Sequence, residues 1–552
     1  MQYEFKITNN KFVRSSDKKV FNKTVVLTLY NDKGEENNKD YGFIDRNDVY
    51  KLIDEGKEIN LDQCYIEDFS LREYRNTKGK NEFEYTEMKD VSAIEAFFNC
   101  KNTPQIDFFF AKFVLEKLKK IDFSKTIFGN GNVIFFGVIF DNGFVNFEDI
   151  KFGNGDVDFQ SADFGNGVIS FYNVQFGDGK VNFYDAKFGK GNINFFRCKF
   201  GKGELDFSEV KFRDGNVDFS NVEFGSGDVN FRYAEFGNGN ISFHDSKLTN
   251  GDIDFRDTEF GDGNIYFFNV KFGNGDANFA GSKAVYKFGK GNISFLNTKI
   301  SKITFKERQF DDYADLRVLK CLYIDLSNTI VRDIIDLKPD SDLRVNIKKL
   351  NIIGMQNLGR INIDWKENKV KELIENQGNE TTHREKAEQF RILKENFHKI
   401  GQYDDEDKAY VEYRKHEMKA VLEERINGKF LNKFWAHPLY WIAWFVKDWL
   451  GSFGTNPWRV LANMGIFYFF FSAIYFFLLK LSNCGIYPTN EKVDILTNFC
   501  KALYHSAITF LTIGYGDYYP SGIIRIFSGI EGFIGLFLMA YFVVAFSRKV
   551  LR

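Results

Sequence analysis

The chain has 552 residues, with 74 Lys and Arg against 76 Asp and Glu and a formal charge of −2. That length accommodates several domains, and the near balance of charge excludes a global polyelectrolyte partner. Its 6 cysteines lack metal-ligand spacing, and the 65 phenylalanines are the one large compositional excess.

The start, Met1-Gln2-Tyr3-Glu4-Phe5-Lys6, is polar and holds no apolar run of a signal peptide, which predicts a cytoplasmic N-terminal part. Cys64, Cys100, Cys198 and Cys321 are then expected in a reducing compartment. Residues 1–120 mix alternating apolar stretches (3–7, 24–29) with helical ones (47–53, 93–98, 108–118). They read as a small α/β capping region with no recognisable chemistry.

From 121 to 300 the sequence repeats at every twelfth position. One series is Phe128, Phe140, Phe152 and Phe164; a second is Phe135, Phe147, Phe159 and Phe171, with Val133, Val145, Val157 and Ile169 two residues earlier. Each apolar-x-Phe triplet predicts a short strand with its apolar side inward, and Gly-x-Gly predicts a corner where positive φ is cheap. Such a unit cannot bury its face alone, so successive coils must stack. The segment Val157-Asp158-Phe159-Gln160-Ser161 resembles the pentapeptide-repeat family, which implies a parallel β-solenoid. The seven-residue remainder of the unit departs from that family. Two units per coil predict a four-sided coil of twice the repeat length, and one unit per coil is the alternative. The expectation is six to eight coils, roughly 30–40 Å at ~4.8 Å each. Four extra residues around 284–287 break the register and predict a bulging loop. The corners do not read as phosphate loops, because no Gly-Lys-Ser/Thr follows. A nucleic-acid mimic would be strongly acidic, whereas Lys151, Lys187, Lys199, Lys211 and Lys271 interleave with acids here, so no nucleic-acid partner is expected.

Residues 301–380 read as an irregular β cap, with strands at 343–353 and 361–365. In 381–428, Thr382-His383-Arg384-Glu385 is a capping box opening a helix that Gly401 ends, and a second helix follows over 405–426. His383, His398 and His416 are expected on the surface of this hairpin. Residues 433–450 are rich in Trp and Tyr and predict an interfacial helix on the cytoplasmic leaflet, with a third crossing as the alternative. Residues 460–481 and 523–546 are apolar enough to span a membrane, with a short pore helix over 496–511 between them. Arg459 before the first span and Arg548, Lys549 and Arg552 after the second place both termini in the cytoplasm. Cys484 and Cys500 then lie outside, where a disulfide and two free thiols both fit.

Between pore helix and second span lies Thr512-Ile513-Gly514-Tyr515-Gly516-Asp517. A dehydrated K⁺ needs a ring of oxygens, which backbone carbonyls from several chains can supply. Gly514 and Gly516 let successive carbonyls point to one axis, the Thr512 hydroxyl adds an oxygen, and the Tyr515 ring is large enough to wedge behind the strand. The motif resembles the signature sequence of potassium channels. The order of outer helix, pore helix, filter and inner helix resembles the two-transmembrane potassium channel family, of inward-rectifier topology, over 460–552. Ile513 stands where that family more often has Val. The resemblance implies a multidomain protein: a β-solenoid fused to an α-helical, tetrameric transmembrane pore domain. It implies a homotetramer in a plasma membrane, expected to be prokaryotic, with permeant K⁺ at the carbonyls of Thr512, Ile513, Gly514 and Tyr515.

Glu531 inside the second span is costly unless paired, and with Asp517 is expected to brace the filter. Gly529, Gly532 and Gly535 are candidate hinges, and Phe546, near Val543 and Val544, is a candidate constriction. No Arg-repeat helix marks a voltage sensor, and with six residues after Phe546 no C-terminal nucleotide- or calcium-sensing domain is expected. Regulation would then fall to the cytoplasmic part, through an unidentified ligand or protein on the solenoid. A membrane-anchored scaffold with a non-conducting pore is the alternative function. No nucleophile-base pair, metal cluster or organic-cofactor loop points to an enzyme.

Overall fold

Every apolar-x-Phe triplet of the repeat is one side of a coil, and its partner in the next coil lies two repeat units on. Val157 pairs in parallel with Val133 and Val181, and Ile169 with Val145 and Ile193. The two intervening sides pair likewise, through Asp163, Lys187 and Lys211 and through Lys151, Gln175 and Lys199. Two repeat units therefore close one four-sided coil. This computed structural model describes residues 2–30, 36–282, 287–428, 430–480, 484–489 and 496–551, and divides into Met1–Gly378 and Asn379–Arg552.

The phenylalanine excess is the core of the first unit. Phe135, Phe159, Phe183, Phe207 and Phe231 stack with near-parallel planes at 4.8–4.9 Å between centroids, the spacing of paired strands. Phe147, Phe171, Phe195 and Phe219 form a second stack, and the two meet edge to face at about 5.8 Å. Offset stacking along the rod and T-shaped contacts across it are the two arrangements the ring quadrupole favours. Two further stacks, through Phe164–Phe188 and Phe176–Phe200, complete the interior.

The corners differ from the sequence expectation. Most repeat glycines do not take positive φ. They are glycine because coils stack directly on one another: a Cβ on Gly177 would lie 1.9 Å from the Gly153 carbonyl, and one on Gly191 1.9 Å from that of Gly167. Positive φ falls instead three residues before the first-series Phe, on Ser161 (54°), Asn173 (57°), Asp185 (54°) and even Tyr233 (57°). The residue between Val and Phe has its own task. Asp158 accepts a hydrogen bond from the Gln160 N–H at 3.0 Å and Asn182 one from Tyr184 at 2.9 Å, turning the chain at the strand end.

The solenoid also runs beyond 121–300. Parallel pairing extends from Gly42 with Cys64 to Asp336 with Asn362, about 13 turns rather than six to eight, or roughly 60 Å at ~4.8 Å per turn. Residues 93–98 and 108–118 are not helices; strands Phe97–Asn99 and Ala111–Val114 fall on them, with Gln105–Asp107 between. Glu95 and Phe110 turn with positive φ as Ser161 and Asn173 do, but no Gly-x-Gly follows Phe98 or Phe113 to mark the coil in the sequence. The 301–380 segment is regular too: Lys320–Asp325 pairs in parallel with Ile347–Asn351. An antiparallel meander of Gln2–Thr8, Thr24–Tyr30 and Glu36–Phe43 covers the first edge. Helices α1 (Arg46–Asp54) and α2 (Leu71–Thr77) flank the first coils, and α3 (Val370–Glu375) follows the last strand. Of the predicted bulge at 284–287, residues 284–286 lie outside the described residues and Lys287 opens a strand, Lys287–Phe288; the pairing step lengthens by four positions across it: Ile241 pairs with Ile265, and Ile265 with Ile293.

The second unit is helical. The Thr382 hydroxyl and Glu385 carboxylate form the reciprocal capping box that starts α4 (His383–Lys399), and Gly401 (φ 75°) ends it. α5 (Tyr403–Ile426) packs back on α4. His416 is buried there against Phe390, with its Nδ1 2.9 Å from that of His383, and is not a surface residue. α6 (Phe430–Ala443) contains Pro438 and continues as a π-helical segment, Trp444–Trp449. α7 (Pro457–Leu478) starts at an Asn456 cap with proline in its first turn, and α8 (Asn498–Phe510) at a Thr497 cap. α9 (Ile524–Val550) is the last helix. Among the described residues, α7 and α9 are the two helices long and apolar enough to cross a membrane. All six cysteines, Cys484 and Cys500 included, are free thiols.

Candidate pore and its supports

The 512–517 segment leaves the C-terminal end of α8 and is anchored there by the Ile513 N–H, which donates to the Ile508 carbonyl at 2.9 Å. Thr512, Gly514 and Gly516 take positive φ (57°, 58° and 75°) with Ile513 and Tyr515 between them. An alternating backbone of this kind turns successive carbonyls toward one side. The Thr512 hydroxyl donates to the Leu511 carbonyl at 2.7 Å, leaving its oxygen as an acceptor. Residues 511–517 are all exposed in the single chain, and Tyr515 is 71% exposed rather than wedged behind its own strand.

The Gly516–Asp517 end of the segment is tied down by two residues. The Tyr504 hydroxyl of α8 donates to the Asp517 carboxylate at 2.7 Å. Thr489, beside the antiparallel pair Ile486–Pro488 and Tyr518–Pro520, donates its hydroxyl to the Gly516 carbonyl at 2.5 Å and its N–H to that of Asp517 at 2.8 Å.

Glu531 is fully buried and joins three helices. It accepts from the Tyr475 hydroxyl of α7 at 2.6 Å and from the Ser506 hydroxyl of α8 at 2.5 Å, while its own backbone belongs to α9. Ser506 also lies 3.1 Å from the Tyr468 carbonyl, and buried His505 bonds Ser528 of α9 through Nε2 at 2.9 Å. A carboxyl inside an apolar span costs least when its oxygens are met in this way. The sequence had pointed to Glu531 and Asp517 but not to Tyr475, Tyr504, His505 or Ser506. An intramembrane carboxylate demands hydroxyl partners, and that demand was the available signal.

The three candidate hinge glycines are not equivalent. A Cβ on Gly535 would lie 2.0 Å from the Phe510 carbonyl, so Gly535 lets α9 close on the end of α8. Gly529 has open space around it, and Gly532 has only the Thr509 carbonyl near, at 3.8 Å. α9 runs through all three. Toward its end Val543, Val544 and Phe546 are exposed.

The end of α9 is held by the hairpin. Arg548 bonds Asp407 at 2.9 Å and lies over the Tyr410 ring at 4.3 Å, and Lys549 bonds Asp404 at 2.6 Å. Lys549 holds the Asp404 carboxyl below its usual pKa. One turn and more before, the Tyr541 hydroxyl donates to the Lys447 carbonyl at 3.1 Å. No sequence pattern announced these contacts.

Residues 463–552 match the ion channel family model. That stretch begins within α7 and takes in α8, the 512–517 segment and α9, so the C-terminal part of this protein is an ion-channel domain, joined in one chain to a β-solenoid. Comparison with curated proteins and with solved structures returns no match.

Proposed function

We propose that the protein is a K⁺-selective channel in which four copies surround one pore. The observation that carries this reading is the Thr512–Gly516 backbone: positive φ at Gly514 and Gly516, exposed in one chain, and braced behind by α8. One chain supplies one strand of oxygens, and a coordination shell that replaces hydration needs several around an axis. K⁺ would be held at the carbonyls of Thr512, Ile513, Gly514 and Tyr515, with the Thr512 hydroxyl at the inner mouth. Asp517 and Glu531 act as supports, and Phe546 sits where a constriction would close. Basic residues flanking α7 and α9 favour cytoplasmic termini in a cell membrane and an outward filter. The contacts of Arg548 and Lys549 with Asp407 and Asp404 support a gate that senses the cytoplasmic part, where the solenoid would take a ligand or docking partner.

The test is ion uptake into liposomes holding the purified chain. Potassium uptake far above sodium, together with four-fold particles in detergent, supports the proposal. Equal uptake of both ions, or a particle without four-fold symmetry, refutes it.

A further inference from the structure

α5 and α6 leave a cleft of about 490 Å³ between them, outside the pore. Its wall is apolar: Val421 and Leu422 from α5 face Leu439 and Ile442 from α6, with Val446 beyond them. Leu439 and Ile442 are 42% and 60% exposed, so this wall is open to its surroundings. Four cations, Arg384, Arg414, Arg425 and Lys447, stand around it. Arg384 pairs with Glu424 at 2.6 Å, and Arg414 pairs with Glu417. Arg425 and Lys447 form no ion pair among the described residues, which leaves the cleft with two positive charges in excess.

An apolar slot with uncompensated cations at its rim matches an amphiphile with a negative head, and neither half suits a purely polar or purely apolar ligand. Its setting matches too. α6 exposes Trp435 (52%) and Trp441 (58%), ring types that favour the headgroup layer, and the segment leads into membrane-spanning α7. We propose that the α5–α6 cleft is a binding site for an anionic phospholipid of the surrounding leaflet. The acyl portion lies along Val421, Leu422 and Ile442, and the phosphate is held by Arg425 and Lys447. The proposal rests on α7 and α9 lying in a membrane and not on ion selectivity. Lys447 also offers its carbonyl to Tyr541 of α9, so the site adjoins the inner helix.

The experiment uses the full chain in detergent and reads binding by native mass spectrometry. The probes are dioctanoyl phosphatidylglycerol, dioctanoyl phosphatidylcholine and glycerol 3-phosphate. Saturable binding of the phosphatidylglycerol at least tenfold tighter than the other two is expected. Lys447→Gln, at an exposed position, should weaken it several-fold, and Arg425→Gln with Lys447→Gln roughly tenfold or more. Ile442→Asn should weaken both lipids. Equal affinity for the two lipids, equal binding of glycerol 3-phosphate, or unchanged binding by the double variant overturns the proposal. Because the readout is mass, a channel that fails to select K⁺ leaves this test intact.

Discussion

Replacing Glu531 separates a structural brace from an incidental carboxyl. In Glu531→Ala the Tyr475 hydroxyl, in a residue with no exposed surface, loses its 2.6 Å acceptor. An unsatisfied buried hydroxyl costs about 1–3 kcal/mol, and the space vacated by the side chain adds about 1–2 kcal/mol more. Ser506 suffers less, because the Tyr468 carbonyl is 3.1 Å away. The sum is about 2–5 kcal/mol. Glu531→Gln keeps a carbonyl oxygen for Tyr475, and its amide can donate to Ser506 once that hydroxyl turns to Tyr468, so the expected loss is under about 1 kcal/mol. Heating the detergent-solubilised protein and measuring the folded fraction by size exclusion should lower the midpoint of the Ala variant by roughly 5–15 °C and that of the Gln variant by only a few degrees. If Ala is as stable as Gln, the hydroxyl contacts carry no weight, and the three helices are joined by packing alone.

Gly191→Ala places a Cβ 1.9 Å from the Gly167 carbonyl, where backbone must move, so a loss of about 1–3 kcal/mol in the unfolding free energy of the solenoid, read by denaturant titration, is expected. Phe183→Ala removes one ring from a continuous stack and should cost about 3–5 kcal/mol in the same measurement; a loss below about 1 kcal/mol would contradict the stacked core. Arg548 and Asp407 are 22% and 10% exposed, so their bond should be worth about 1.5–3 kcal/mol, and a double-mutant cycle with Arg548→Gln and Asp407→Asn should return coupling in that range. The Asp404 carboxyl is depressed by Lys549, so its stabilising contribution is present above the ordinary carboxylate pKa and is lost as pH falls through the lower folded value. Asp404→Asn should therefore flatten the acid limb of the stability profile, and an unchanged limb would remove the role given to this pair.

The solenoid was legible because a rod repeats its solution: Phe at two positions in every repeat unit marks the inward face and the repeat length, while the strand pairing decides that two units close one coil. Where the repeat loses its glycines, the same coil became unreadable. Residues 93–98 and 108–118 resembled helices because the Gly-x-Gly that follows the first-series Phe elsewhere is missing there, although Glu95 and Phe110 take the same positive φ as Ser161 and Asn173. The role of the glycines was also misread, since no local rule shows that the atom in the way belongs to a residue one whole coil back. In the channel domain the sequence singled out the 512–517 segment, whose positive φ at Thr512, Gly514 and Gly516 is seen in the fold. Of its supports Glu531 and Asp517 were named, but their partners were not, because Tyr475 and Ser506 meet Glu531 only through the packing of three helices, and Arg548 meets Asp407 across 141 positions.

Reversal potential in a planar bilayer, with KCl on one side and NaCl on the other, addresses the filter most directly. Carbonyls of Thr512 to Tyr515 that replace the hydration of K⁺ predict a reversal far from zero, of the sign set by K⁺, and a shift toward zero in Gly514→Ala, where the 58° φ costs about 1–2 kcal/mol at little change in volume. A wild-type reversal near zero would contradict the assignment of these carbonyls as the K⁺ site.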